Sequence, residues 1–247
     1  MLRTSEATVE VINLEEELSH LHDDDWYWMS DSRNVDVLSY GKHVAFHPYF
    51  AMGTHACRGS KPLTGSTISY WRITLLQDLY GTSLMFGVGN AKAETTYRSV
   101  FTDLLGKDEH SYGLSHLGVA YHAGIEIRAC TPLRNRCSIG ILFDGPRRQI
   151  SFFENDKFIC TPFTEIDVSE PLYPMISSTA QQSTFLVDRQ KSYIEVPTLE
   201  ALAMEKIKKF SIHKFPPIWD LPLPQHLKKG LEELCYPRPA TVQCPFI

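Results

Sequence analysis

The sequence predicts a mainly β protein: an antiparallel two-sheet sandwich with a small helical segment at its C-terminal end. Two observations carry that expectation. From about residue 26 to 190 the chain is a series of short alternating apolar runs broken by turn signals, with little helical period. After Pro197 the apolar spacing changes to threes and fours, as in amphipathic helices. The chain thus divides into an acidic arm expected to be poorly ordered (1–25), the sandwich (26–195), the helical segment (196–236) and a tail (237–247).

Residues 1–25 carry eight acids against Arg3 alone, a balance of −7 in a chain whose total is −5. Such a run is most simply a solvated lead, although Leu14, Leu18 and Leu21 would share one face of a short helix. KHVAFHP reads as a strand ending at Pro48. In STISYWRITLL, Trp71, Ile73 and Leu75 fall on one face and Tyr70, Arg72 and Thr74 on the other. SLMFGVGN follows a turn at Gly81. CSIGILFDGPRRQISFFENDKFIC reads as three strands turning at Asp144-Gly145-Pro146 and Asn155-Asp156. LYPMISST and STFLVDR supply two more, and closing two such sheets face to face buries alternate residues.

In TLEALAMEKIKKF, Thr198 is suited to cap a helix whose face holds Leu199, Leu202, Ala203, Ile207 and Phe210. Beyond FPPIWDLPLP a second helical pattern starts near Pro224, with Leu227, Leu231 and Leu234 on its apolar face and Pro237 as its stop. Two short helices cannot bury both apolar faces on each other. Either they pack on the sandwich or one face waits for a partner.

Composition narrows the function classes. Apolar residues at 43% and charged ones at 21% are those of an ordinary globular chain. No apolar run approaches the ~18 residues of a membrane span, and the acidic start lacks a signal-peptide core. The expectation is an intracellular protein, in cytoplasm or nucleus, with no membrane contact. Outside the arm the charges nearly cancel, which leaves no footprint for nucleic acid. Six cysteines without a CxxC pair read as reduced thiols. His43 and His47 sit on a strand, not on the helix a zinc pair needs, and His110, His116 and His122 recur across a Gly-containing stretch; no metal or cofactor is expected from either set. Asp144 and Glu154 are a candidate carboxylate pair for glycoside cleavage, but both stand at turns and no nucleophile elbow or phosphate loop accompanies them. No catalytic residue is assigned.

Four pieces of the body resemble a SPRY domain: Ser111-Tyr112-Gly113, with Tyr112 where that family usually has Trp, Ile139 to Asp144, Ile150 to Asn155, and Leu172 to Met175. The segment after Pro197 resembles a SOCS box. Thr198, Leu199, Ala203 and Ile207 fit its elongin C pattern, and Ile218, Leu221-Pro222-Leu223-Pro224 and Leu227 its cullin-5-type pattern, with Gly230 in place of an aromatic. In this order the two halves resemble the SPRY domain-containing SOCS box protein family. LLGKDEHSYGLS, GTHACRG and YPMISSTA bring the chain closest to the type 3 branch.

That resemblance implies a non-catalytic substrate-recognition subunit of a cullin-RING ubiquitin ligase. Its sandwich would grip a target for ubiquitination and proteasomal degradation. Thr198, Leu199, Leu202, Ala203 and Ile207 would hold elongin C, joined by elongin B. Ile218, Leu221, Pro222, Leu223, Pro224 and Leu227 would contact cullin-5 or cullin-2, which brings a RING protein. The alternative is a SPRY binding adaptor without ligase assembly. Family members bind a short Asn-rich peptide preceded by an acidic residue. The corresponding loop positions here are His47, Tyr49, Ala51, Thr82, Phe101, Leu104 and Thr179, with Ala180 and Gln181. His47 stands where relatives have arginine, Tyr49 where they have proline, and Ala180-Gln181 where they have Trp-Gly. A titratable His47 implies a contact to an acidic peptide residue that strengthens as the pH falls.

Overall fold

The structure is a computed structural model that describes residues 12–195 together with Pro224, Gln225 and Lys228. Its elements are α1 (Leu14–Leu18), β1 (His22–Asp23), β2 (Trp28–Met29), β3 (Val35–Leu38), β4 (His43–Phe46), β5 (Gly53–Gly59), β6 (Thr67–Leu75), β7 (Leu84–Gly89) and β8 (Thr96–Arg98). They continue with β9 (Ser111–Ser115), β10 (Val119–His122), β11 (Ile125–Arg128), β12 (Ser138–Asp144), β13 (Gln149–Glu154), β14 (Lys157–Thr164), β15 (Tyr173–Ser178) and β16 (Ser183–Ile194). Among the described residues these strands form two antiparallel sheets. One runs β14-β13-β12-β6-β16-β4-β3, with β1 also on β16. The other runs β11-β10-β9-β7-β15-β5-β2, with β8 also on β5.

The alternation in β6 decides what each face of the first sheet covers. Trp71, Ile73 and Leu75 enter the core between the sheets, beside Phe46, Phe86, Ile141, Phe152 and Phe185. Trp26 and Trp28 close this core, with Trp26 edge-on to Trp28 at 4.9 Å and to Trp71 at 6.2 Å. The intervening residue Tyr70 lies on the opposite face, yet it is fully buried. It lies across β12 at Gly140, where a Cβ would sit 2.4 Å from the Tyr70 hydroxyl oxygen. Glycine at 140 is thus required by close approach.

The cover over Tyr70 is the N-terminal segment. Leu14, Leu18 and Leu21 are buried with Tyr70, Leu142 and Phe153, and β1 pairs with β16 through His22↔Ser192 and Asp23↔Lys191. The expectation of a poorly ordered arm is therefore corrected for its described part: from residue 12 onward it belongs to the folded body. Its acids meet bases of that body, Glu15 with Arg189, Glu17 with Arg147, Asp23 with Lys191, Asp24 with Lys61 and Asp25 with Lys42. Most of these pairs are solvated and each is worth at most about 1 kcal/mol, so the leucines carry the docking and the charges set its register. β16 carries a bulge at Asp188, whose carboxylate accepts from Arg72 Nε at 2.9 Å and Thr74 Oγ1 at 2.7 Å.

Residues 1–195 and 196–247 form separate units. In the second, the Lys228 N–H donates to the Pro224 carbonyl at 3.1 Å, the spacing of one α-helical turn. The other sequence-assigned residues of that segment, Thr198, Leu199, Leu202, Ala203, Ile207, Ile218, Leu221, Pro222, Leu223 and Leu227, lie outside the described residues.

Leu18→Ala should lower the stability of the body by about 2–3 kcal/mol, because its buried site is lined by rigid rings that collapse poorly. Urea unfolding followed by tryptophan fluorescence reads this directly. A change below about 0.5 kcal/mol, the range of surface substitutions, would show that the segment does not dock in solution.

Candidate functional site

Strand registers bring three sheet-crossing connections to one end of the sandwich. Phe46, at the end of β4, pairs with Ser183 at the start of β16, and Leu75, at the end of β6, pairs with Phe185. In the other sheet Ser178, at the end of β15, pairs with Leu84 and His55. Loops 47–52, 76–83 and 179–182 therefore share that end, and loop 99–105 joins them because β8 runs antiparallel to β5, with Arg98 opposite Gly53.

The four loops are tied by polar contacts, buried at Thr179 and Ser83 and closer to solvent elsewhere. The Thr179 hydroxyl accepts the Ser83 N–H at 2.9 Å and donates to the Ser83 carbonyl at 3.0 Å. Ser83 Oγ donates to Asp103 Oδ1 at 2.6 Å, which reaches loop 99–105. Thr54 Oγ1 contacts the carbonyls of Val100 and Thr102, both at 2.9 Å, and accepts the Thr102 N–H at 3.0 Å. The Gln182 N–H donates to the His47 carbonyl at 3.1 Å, and Gln181 Nε2 to the Tyr49 carbonyl at 2.6 Å. Gly81, at φ 95, passes so close to Ala180 that a Cβ would lie 2.8 Å from the Ala180 Cβ.

This network sorts the sequence-assigned positions. Tyr49, Thr82, Phe101 and Gln181 face solvent and Ala51 is half-buried. His47, Leu104, Thr179 and Ala180 are buried, where they position the loops. Leu104 packs with Ala56, Met85 and Leu105. His47 Nε2 lies 3.1 Å from the Ser178 carbonyl, so that nitrogen carries the proton, and its ring stands edge-on to His55 at 5.1 Å. Burial lowers the pKa of both histidines, and in His55 the neighbouring His47 and Arg98 lower it further.

Much of what remains outside is apolar. Tyr49 and Phe50 are 76% and 75% exposed, and Met52, Val100 and Phe101 stand beside them in the same two loops, each about half exposed. Phe50, Met52 and Val100 were not assigned from the sequence. The signal was available as large apolar side chains crowded between Pro48 and Gly53, where a plain connection would be polar. Exposed rings on rigidly tied loops are suited to binding an extended chain, since rings give area at low entropic cost.

The glycoside reading fails on geometry. Asp144 pairs in register with Gln149 and Glu154 with Ile139, at opposite ends of one hairpin. Five residue steps at ~3.3 Å put them about 17 Å apart, well beyond the roughly 5–9.5 Å of glycosidase carboxylates. Asp144 is also buried and bound to the Arg147 N–H and guanidinium, both at 2.9 Å.

Residues 68–190 match the SPRY domain family model, and the two antiparallel sheets have a SPRY-like fold. It is similar to SPRY domain-containing SOCS box protein 3 of Xenopus tropicalis and of Xenopus laevis, 32% identical to each over 210 residues. The match covers 84% of this chain and 57% of each frog protein, so the chain spans little more than half the length of these relatives. Among solved structures, the TRIM65 PSpry domain aligns with a TM-score of 0.55 at 14% identity, over 77% of this chain and all of that domain. The SPRY domain of human HERC1 aligns at 0.52 and 16% identity, over 68% of this chain and 97% of that one. At these identities the two structures speak for the fold alone.

The buried histidines set a pH dependence. Their folded pKa values lie below the roughly 6.5 of an unfolded chain, so the unfolded state takes up protons first as the pH falls. Stability should be flat above about pH 7 and decline as pH drops through 6.5 toward the folded values. His116, also lowered by burial, adds to the slope. In thermal melts between about pH 7.5 and 5.5, His47→Gln should show a shallower decline than wild type; an identical slope would remove His47 from this account.

Proposed function

We propose that this chain is the non-catalytic target-recognition subunit of an elongin–cullin–SOCS-box ubiquitin ligase. The observation that carries the reading is a SPRY sandwich with a tied, exposed apolar loop surface, continuous in one chain with a segment bearing the elongin and cullin patterns. The similarity to the frog SOCS box proteins also supports it, since a match covering 84% of this chain is too long to fit within residues 1–195 and continues past Glu195.

The physics asks for no catalytic residue here. Ligation needs a target lysine held near a charged ubiquitin carrier, and tethering raises its effective concentration there. The loop surface of Tyr49, Phe50, Met52, Val100 and Phe101 grips an Asn-containing segment of the target. Tyr49, Thr82 and Gln181, with the loop backbone, supply partners for an asparagine amide, which costs about 1–3 kcal/mol if buried unmatched. Leu199, Leu202, Ala203 and Ile207, with Thr198 at the helix start, enter a groove of elongin C, each large side chain worth about 1.5–3 kcal/mol. Ile218, Leu221-Pro222-Leu223-Pro224 and Leu227 meet the cullin.

Two experiments test the halves separately. Leu199→Ala with Leu202→Ala should abolish co-purification of elongin C while the melting temperature of the β body stays unchanged. Retained elongin C, or a melted β body, would overturn the docking assignment. On peptide arrays, Tyr49→Ala and Phe101→Ala should each weaken binding about tenfold, and replacing asparagine by alanine in the peptide should do the same. Indifference to both side chains would move the target site elsewhere on the sandwich.

A further inference from the structure

Beside the loop surface lies a cleft that the reading above leaves without a role. β2 and β8 both pair with the same edge of β5, β2 at Arg58 and Gly59 and β8 from Gly53 to His55. Between them opens a cleft of about 1110 Å³ with His55 and Ala56 among its lining, walled by residues 29–34 on one side and by Thr95, Thr96, Arg98 and Ser99 on the other. It meets the loop surface at Met52 and Ser99.

Its electrostatics are unbalanced. Arg33, Arg58 and Arg98 line it, against the single carboxylate of Asp31. Among the described residues none of the three arginines pairs with a carboxylate, whereas most of the other described lysines and arginines do. Arg58 is fixed in place, donating to the carbonyls of Ala93 at 3.0 Å and Ala91 at 3.4 Å, with its guanidinium 5.7 Å from the Tyr173 ring centroid. His55 adds no charge of its own, because burial favours its neutral form. Its Nε2 lies 3.2 Å from the Met52 carbonyl, to which it donates, and its Nδ1 lies 2.9 Å from Ser32 Oγ, from which it accepts. The chain as a whole carries −5, opposite in sign to the side chains of this cleft.

Guanidinium forks without carboxylates, in a cleft rimmed by Ser and Thr hydroxyls, suit planar or tetrahedral oxyanions. β8 pairs only with β5 among the described residues, so its outer edge offers backbone groups to an extended segment. We propose that this cleft binds an anionic stretch of extended peptide, carrying carboxylate or phosphate side chains, and so forms a second subsite for the target held by the loops. The proposal deepens the target-recognition reading and adds an acidic segment to its substrate class.

The test is fluorescence anisotropy of the full chain with three labelled nonapeptides, glycine alternating with glutamate, with phosphoserine, or with glutamine. At least one anionic peptide should bind about tenfold tighter than the glutamine peptide, and which of the two leads identifies the source of the anion. Arg33→Gln with Arg98→Gln, both exposed, should erase that preference without changing the melting temperature. Equal binding of all three peptides by wild type, or a preference that survives the double replacement, would overturn the proposal. Phe101→Ala separates the two readings: retained anion preference with unchanged affinity for the Asn-containing peptide would sink the loop assignment alone.

Discussion

The closure of the two sheets on a small set of rings governs the molecule. Phe185 on β16 meets Phe46 on β4 at 5.8 Å within one sheet and Phe86 on β7 at 6.4 Å across the gap. All three are fully buried. Such ring contacts add about 0.5–1.5 kcal/mol each to the burial of large apolar area, but position matters more here than energy. Phe46 directly precedes loop 47–52, Phe86 stands three residues after Ser83, and Phe185 stands two after Ser183. The rings that hold the sheets together therefore also fix the bases of the loops that present Tyr49 and Phe50.

That constraint explains why so many polar side chains are buried at one end. Ser83, Ser178, Thr179, Ser183 and His47 would each cost stability inside a core if left unmatched. Here they satisfy the backbone groups of crossing loops, as when Ser178 Oγ contacts Ser183 Oγ at 2.7 Å and accepts the Ala180 N–H at 3.0 Å. Rigid loops with their polar groups turned inward leave an apolar outer surface, which is the condition for binding a flexible segment without a large ordering cost on the protein side.

The strands were legible because period-two alternation and turn residues are local signals. STISYWRITLL put Trp71, Ile73 and Leu75 on the core face, as the register shows, and the turns at 144–146 and 155–156 fell where the sequence placed them. Two things were not local. Tyr70 faces outward from the sandwich, as its strand position requires, but what covers it is a leucine stripe some fifty residues earlier in the chain; the acidic composition of that segment points to a solvated arm instead. Position within the loops was likewise invisible. A loop histidine reads as a contact, and only the tertiary hydrogen bond to Ser178 reveals that His47 is a strut. Phe50 and Met52 were passed over because transfer by motif follows the family's pattern, and these side chains stand between its positions.

The central claim is that the target engages the four-loop end of the sandwich. The most direct measurement is amide hydrogen exchange by mass spectrometry on the full chain, alone and with the target recovered by affinity purification under proteasome inhibition. The account predicts slowed exchange in 47–52, 76–83, 99–105 and 179–182, with the turn at 144–148, at the opposite end where Asp144 pairs with Ile68, unchanged. Protection confined to that opposite turn, with the four loops exchanging as in the free chain, would contradict it.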